Sequence, residues 1–79
     1  MNDKIKEIIY VIKQYDITIK NIYTLNTVDG TAIVVNLSNG YNVYYYMDVD
    51  KYSVNKGWDK PIADMVDIIV LKNLLRGLI

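Results

Sequence analysis

The sequence predicts a single α+β domain in which a three-stranded antiparallel meander is flanked by an N-terminal and a C-terminal helix. A helix-like spacing of isoleucines opens the chain, and β-branched and aromatic residues then dominate its middle part. Two turn-forming dipeptides, Asp29-Gly30 and Asn39-Gly40, divide this middle part into three strands. Because 79 residues are enough for one domain only, the whole of 1–79 is assigned to this α-β-β-β-α unit.

The first element is predicted to be an amphipathic helix. Isoleucines recur at the spacing i, i+3, i+4 and i+7, which places them on one side of a helix. These residues are Ile5, Ile8, Ile9 and Ile12. Asn2 or Asp3 can cap the start of the helix by accepting hydrogen bonds from free backbone N–H groups. Because isoleucine is a modest helix former, we expect the packing of this stripe to stabilise the helix.

The turns determine how the three strands pair. The strands are predicted at 17–27, 31–37 and 41–48. A two-residue loop at Asn39-Gly40 would mix apolar and polar residues on each face of the sheet. A three-residue loop, Ser38-Asn39-Gly40, with a left-handed glycine gathers the apolar residues on one face instead. A buried face determines register, so the three-residue loop is predicted here, and the same test predicts Val28-Asp29-Gly30 at the first turn.

These registers separate a core face from a mixed face. The core face collects Ile17, Ile19, Tyr23, Leu25, Ile33, Val35, Leu37, Tyr41, Val43, Tyr45 and Met47. The mixed face carries Thr18, Lys20, Ile22, Thr24, Ala32, Val34, Asn36, Asn42, Tyr44, Tyr46 and Asp48. On the mixed face, Tyr44 and Tyr46 would form an apolar patch with neighbouring aliphatic residues. Such a patch is either covered by the second helix or exposed for a partner.

The C-terminal part is predicted to contain a connector, 49–60, and a second helix, 61–76. Pro61 suits the first turn of a helix because its missing N–H group would have no partner there. The apolar residues of this segment point to two sides of a helix. Either the helix is buried on both sides, or it ends near Asp67 and a short extended segment, 68–71, follows. The continuous helix is the preferred prediction.

The composition excludes several functional classes. The chain has no cysteine and no histidine, which removes disulfides, thiolate metal sites and the commonest general base. Nine basic and nine acidic residues balance, so the basic patch that holds nucleic-acid phosphates is not expected. Asp48 and Asp50 could contact a cation, but no third carboxylate supports them. We therefore expect no enzyme activity, no cofactor, no metal and no direct nucleic-acid contact.

The hydropathy pattern bears on location. The apolar run Ile68–Leu71 is far too short to cross a bilayer. The first residues have no continuous apolar run of the kind that signal peptides contain. A cytoplasmic protein is expected.

The strands carry little charge, and this bears on possible partners. From Asn21 to Met47 the only charged residue is Asp29. Edge strands usually carry charges that discourage edge-to-edge pairing. A weakly protected edge is therefore predicted to support homodimerisation or β-augmentation, unless a loop or a helix shields it.

Four stretches of the sequence carry a family resemblance through their order and spacing. They are Ile12-Lys13 with Asp16–Lys20, the Ile33-Val34 strand leading to Asn39-Gly40, Lys56-Gly57-Trp58, and Asp64-Met65 followed by Val70–Lys72. In these stretches the chain resembles the small type II-A anti-CRISPR proteins of Listeria prophages. The resemblance implies a phage-encoded inhibitor that occupies the PAM-reading site of a Cas9–guide RNA complex in the bacterial cytoplasm and keeps target DNA out.

Position by position, the sequence keeps an acid of the family at Asp16 but has Asn39 and Asn42 where the family has carboxylates. It also lacks the family's acidic run after Trp58. The predicted partner-binding residues, from the resemblance and from the tyrosine cluster, are Asp16, Asn39, Tyr41, Asn42, Tyr44 and Tyr46.

Two other functions compete with that of an inhibitor. The alternative is a non-enzymatic structural protein that forms a homodimer through its sheet edge or its C-terminal helix. A double-stranded RNA-binding domain has the same predicted element order, but its basic cluster at the start of the second helix is missing here.

Overall fold

The computed structural model describes residues 3–15, 17–28, 30–57 and 60–78. Within them it contains two helices and one antiparallel sheet of five strands in the order β1-β2-β3-β4-β5. The elements are α1 (Asp3–Lys13), β1 (Ile19–Thr27), β2 (Gly30–Leu37), β3 (Tyr41–Tyr46), β4 (Lys51–Lys56), β5 (Ala63–Val66) and α2 (Ile68–Leu78). The α+β class is confirmed, but the prediction of three strands is wrong, because the C-terminal part of the chain adds two more.

The additional strands lie where a connector and the start of a long helix were predicted. In β4, Tyr52 and Val54 face the core while Lys51 and Asn55 point to the other side, which is the alternation of a strand. A four-residue strand, β5, then takes the place of the first part of the predicted helix 61–76. The chain does change structure at Asp67, but the extended segment precedes this residue and the helix follows it.

Asp67 explains why α2 begins so late. The Asp67 carboxylate accepts a hydrogen bond from the Val70 backbone N–H at 3.0 Å, and the Asp67 carbonyl accepts one from Leu71 at 3.0 Å. This is the hydrogen bonding of an N-cap residue, which satisfies donors that a helix leaves free in its first turn. The cap selects Ile68 as the first helical residue and turns Leu71 and Leu75 toward the sheet.

Both helices pack on the same side of the sheet and bury its core face. Fully buried side chains of α1 and α2 meet those of β2, β3 and β4 in one hydrophobic cluster. Its members are Ile5, Ile8, Ile12, Val35, Leu37, Val43, Tyr45, Tyr52, Val54, Leu71 and Leu75. The predicted placement of Val35, Leu37, Val43 and Tyr45 in the core is confirmed. Met47 was placed there wrongly: it follows the end of β3 and is exposed.

The second hairpin has the predicted register. Val35 pairs with Val43 and Ile33 with Tyr45, which leaves the three-residue loop Ser38-Asn39-Gly40. Gly40 has φ +92°, and its N–H donates to the Leu37 carbonyl at 3.1 Å.

The first hairpin differs from the prediction by one residue. Thr27 pairs with Gly30, so Gly30 belongs to β2 and not to the loop. Consequently Tyr23 lies opposite Val34 and Leu25 opposite Ala32, on the side away from the helices. A shift of one residue moves every side chain of a strand to the other face.

Two further residues of β1 show how the strand reaches the core in spite of this shift. An irregularity of the β1–β2 pairing between Ile19 and Asn21 lets both Ile19 and Ile22 pack against the core. Ile22 had been placed on the mixed face, and this placement is wrong.

Candidate functional site

The side of the sheet that faces away from both helices carries the candidate site. The register arranges its residues in three rows that run across β1, β2, β3 and β4. The rows are Asn21, Asn36, Asn42 and Asn55; then Tyr23, Val34, Tyr44 and Ser53; then Leu25, Ala32, Tyr46 and Lys51. We call these residues the open face. No described helix packs on this side of the sheet.

The aromatic side chains of the open face lie in its second and third rows. The rings of Tyr44 and Tyr46 are nearly parallel, with 6.4 Å between their centroids and an interplanar angle of 15°. Val34 is fully buried between Tyr23 and Tyr44, although no described helix covers it, so the neighbouring side chains must shield it. Tyr23 and Leu25 are each 40% exposed. The open face therefore presents an apolar surface to solvent.

Three asparagines of the first row, on β2, β3 and β4, form a hydrogen-bonded ladder along one border of this surface. Asn36 Nδ2 donates to Asn42 Oδ1 at 2.6 Å, and Asn42 Nδ2 donates to Asn55 Oδ1 at 3.0 Å. Asn42 Nδ2 also lies 3.3 Å from the Gly57 carbonyl. Because these amides hold one another, the ladder itself determines their orientations.

A shallow groove follows the asparagine row at the end of the sheet near the β2–β3 turn. Its volume is about 500 Å³. Its walls are formed by Lys20, Asn21, Tyr23, Asn36, Leu37, Gly40, Asn42, Tyr44 and Gly57. The groove thus combines amide donors and acceptors with two tyrosine rings and one cation, Lys20. Such a lining can hold an uncharged side chain or a backbone segment by hydrogen bonds and ring contacts.

The predicted partner-binding residues do not all lie together. Asn42, Tyr44 and Tyr46 share the open face. Asn39 lies in the β2–β3 turn, where its Oδ1 accepts a hydrogen bond from the Tyr41 backbone N–H at 3.1 Å. Tyr41 packs against the core on the other side of the sheet. Asp16 lies outside the described residues.

Lys56 accompanies Tyr41 on that other side. Its Nζ lies 5.4 Å from the centroid of the Tyr41 ring, within the range of a cation–π interaction. Tyr41 is therefore engaged with the core and with a lysine, and it does not contribute to the open face.

Sequence reasoning missed several residues of this surface. Tyr23 and Leu25 were assigned to the core because the first loop was counted one residue too long. Asn55 could not be placed because β4 was predicted as a connector. A usable signal was present for the asparagine row: Asn36 and Asn42 lie at equal distances from Asn39 in the turn, so a three-residue loop sets them opposite each other.

The candidate cation pair, Asp48 and Asp50, is used differently in the structure. Asp50 Oδ1 accepts a hydrogen bond from the Tyr45 hydroxyl at 2.9 Å. Asp48 instead lies beside Gly30, at the β1–β2 hairpin. Among the described residues there is no group of three or more acidic, histidine or cysteine side chains that could hold a metal ion.

The two serines of the chain form structural hydrogen bonds. The Ser53 hydroxyl donates to Asp64 Oδ1 at 2.8 Å and accepts a hydrogen bond from the Met65 N–H at 3.0 Å. Ser38 Oγ accepts a hydrogen bond from the Thr18 N–H at 3.1 Å. These contacts join β5 to β4 and the start of β1 to the second turn.

Comparison with known proteins identifies no relative of this chain. No family model matches the chain, and comparison with curated proteins and with solved structures finds no significant match.

No described helix is long and apolar enough to span a membrane.

Proposed function

We propose that this protein is a non-catalytic inhibitor that binds a protein partner through the open face. The observation that carries the proposal is the aromatic and aliphatic surface formed by the exposed Tyr23 and Leu25 and the half-buried Tyr44, bordered by the asparagine ladder. Interfaces between proteins have this anatomy: an apolar centre rich in tyrosine, few charges, and a polar border.

The few charges on and near the open face favour a protein as the partner rather than a nucleic acid. Within the three rows the only charged side chain is Lys51, at the β4 end, and Lys20 lies beside the groove. Binding to a phosphate backbone requires several cations placed to neutralise several phosphates. Two separated lysines supply little of this energy, whereas tyrosine rings contribute strongly to contacts between proteins.

The most specific form of the proposal is an inhibitor of Cas9, encoded by a phage and acting in the host cytoplasm. The resemblance to type II-A anti-CRISPR proteins supports it. Asn42, which replaces a carboxylate of that family, lies inside the hydrogen-bonded ladder. Binding would therefore rest on ring packing and neutral hydrogen bonds rather than on charge. Because salt screens charges and not apolar contacts, we expect the affinity to change little with ionic strength.

The test combines a binding measurement with a cleavage assay. The purified protein is titrated into a Cas9–guide RNA complex at low and high salt, and target-DNA cleavage is followed in parallel. Binding with protection of the DNA is the expected result. Absence of both would rule out the Cas9 form of the proposal.

Two matched variants test the surface itself. Tyr44→Ser removes a ring from the open face, while Ile69→Ser removes an apolar side chain that is 68% exposed on α2. The Tyr44 variant should lose affinity for the partner by roughly tenfold or more, as removal of a central tyrosine does in other interfaces. The Ile69 variant should bind as the wild type does. Equal affinities of both variants would exclude the open face as the contact surface.

A further inference from the structure

The two edges of the sheet differ in how they are protected. β5 forms one edge, has four residues, and pairs irregularly with β4. Asp64 lies within it, Asp67 follows it, and Met65 has φ +53°. Short, charged and irregular edges resist pairing with another strand. β5 is therefore a protected edge.

β1 forms the other edge and has none of these protections along most of its length. It has nine residues, and its pairing with β2 is regular from Asn21 to Thr27. That seven-residue segment contains no charged residue, since Lys20 precedes it. The backbone N–H and C=O groups on the outer side of such a strand can form hydrogen bonds with another extended strand. The Ile22 N–H donates to Asn21 Oδ1 at 3.0 Å, and a second strand would replace this exposed contact.

The described helices leave this edge accessible. Side chains from Tyr23 to Asn26 are exposed. On the helix side, a groove of about 570 Å³ between α1 and β1 separates Ile9 and Lys13 from Ile19 and Ile22. An incoming strand can therefore approach β1 without displacing α1.

The sequence of the segment fits a second copy of itself. Antiparallel pairing about a two-fold axis at Thr24 sets Asn21 opposite Thr27 of the second copy and Tyr23 opposite Leu25 of the second copy. Residues opposite each other in an antiparallel pair lie on the same face, so each apolar side chain of the open face meets another. Lys20 falls at the end of the paired segment, where it meets no like charge from the second strand.

We propose that two copies of the chain associate through β1 about this axis and join their sheets into one of ten strands. The interface is isologous, as in most homodimers. The paired segment spans about 23 Å at ~3.3 Å per residue. Both open faces then lie on the same side and form one continuous surface. The proposal stands independently of the proposed function, because the pairing uses the backbone of the edge and requires no other protein.

The first test uses the absence of cysteine in the sequence. Thr24→Cys places one thiol of each copy at the axis, where the two Cα atoms would lie roughly 4.5–5.5 Å apart. This separation suits a disulfide. The matched control is Val28→Cys, at a fully exposed residue whose copies would lie about 26 Å apart in this register. Mild oxidation should link most of the Thr24 variant into dimers and little of the Val28 variant.

The second test measures mass without a cross-link. Light scattering of the wild type should show a dimer whose population rises with concentration. Tyr23→Lys and Leu25→Glu should each shift the protein toward the monomer, whereas the double variant pairs lysine with glutamate across the axis and should recover the dimer. Circular dichroism confirms that each variant is folded.

The outcomes separate this proposal from others. A constant monomer mass, or equal cross-linking of the Thr24 and Val28 variants, would overturn it. A dimer whose Thr24 variant does not cross-link would also overturn it, since association would then use another surface. Neither result depends on whether the protein binds Cas9.

Discussion

The two faces of the sheet differ in what covers them. Val43 and Val54, on the helix side, are fully buried under side chains of α1 and α2. Tyr23 and Leu25, on the open face, keep 40% of their surface in water. Burial of apolar surface supplies most of the free energy of folding, so the helix side should account for stability. The open face, whose burial is incomplete, is the surface that we propose as the contact with a partner. Substitutions on the two faces should therefore affect different properties.

The largest expected effect is on the helix side. Leu71→Ala removes a fully buried side chain of α2 and should lower the free energy of unfolding by about 2–5 kcal/mol. In a domain of this size such a loss approaches the whole stability. Tyr44→Ser on the open face should lower it by roughly 1 kcal/mol while weakening partner binding. Urea unfolding measures both variants, and equal losses would show that the faces do not divide these roles.

The next effect concerns the hairpin that decides which face Tyr23 occupies. At Gly30, φ is +112°, and an added Cβ would lie 2.5 Å from Asp48 Oδ2. At Gly40, φ is +92°, but nothing lies within 4 Å of an added Cβ. Both alanine variants should lose about 1–3 kcal/mol from backbone strain. Gly30→Ala should lose more, because the Asp48 carboxylate must also move.

A double-mutant cycle isolates the contribution of Asp48. Replacing Asp48 by alanine should recover part of the stability lost in Gly30→Ala and none of that lost in Gly40→Ala. Unfolding midpoints in urea provide the measurement. If Asp48→Ala rescued both glycine variants equally, contact with this carboxylate would not explain the difference between the turns.

The same two hairpins show what could be predicted from the sequence. In β2 and β3, one of the two possible registers gathers nearly all apolar residues on one side, so the pairing of Val35 with Val43 could be predicted. In β1, the run from Ile22 to Leu25 offers apolar residues to both faces, and alternation cannot decide between them. The pairing of Gly30 within β2 and the irregularity near Lys20 settle that register in the folded protein.

The residues of the candidate site could be predicted only where the strand register could be predicted. Asn42, Tyr44 and Tyr46 follow from the β2–β3 register alone. Tyr23 depends on the β1 register. Asn55 depends on β4, where the polar–apolar alternation from Lys51 to Asn55 was present in the sequence but only Tyr52 and Val54 mark the apolar face, and the segment was predicted as a connector. Helix α2 could not be delimited because its start depends on the hydrogen bonds of one cap residue, Asp67.

Tyr52 provides a pH-dependent test on the helix side. Its side chain is 1% exposed, and its hydroxyl has no hydrogen-bond partner among the described residues. Burial raises the pKa of Tyr52 well above its ordinary value of about 10, and the nearby Tyr45, Asp50 and Glu7 raise it further. Above about pH 10, Tyr52 loses its hydroxyl proton in the unfolded chain but keeps it in the folded protein. The free energy of unfolding should then fall by up to about 1.4 kcal/mol for each further pH unit.

The control for this prediction is Tyr52→Phe. The variant should match or slightly exceed the wild type at neutral pH, because it removes a buried hydroxyl that donates to no described group. Above pH 10 the advantage of the variant should grow with pH, as measured by urea unfolding at a series of pH values. A constant difference between the two proteins would show that Tyr52 ionises with equal ease in both states.

The smallest expected effect concerns the ion pair that links the two helices. Lys72 Nζ of α2 contacts Glu7 Oε1 of α1, and both side chains are more than one third exposed. Water screens such a pair, so Lys72→Gln should lower the free energy of unfolding by less than about 1 kcal/mol. A double-mutant cycle with Glu7→Gln at low and high salt measures the coupling directly. A coupling as large as the loss in Leu71→Ala would mean that charge, rather than apolar burial, holds the helices on their side of the sheet.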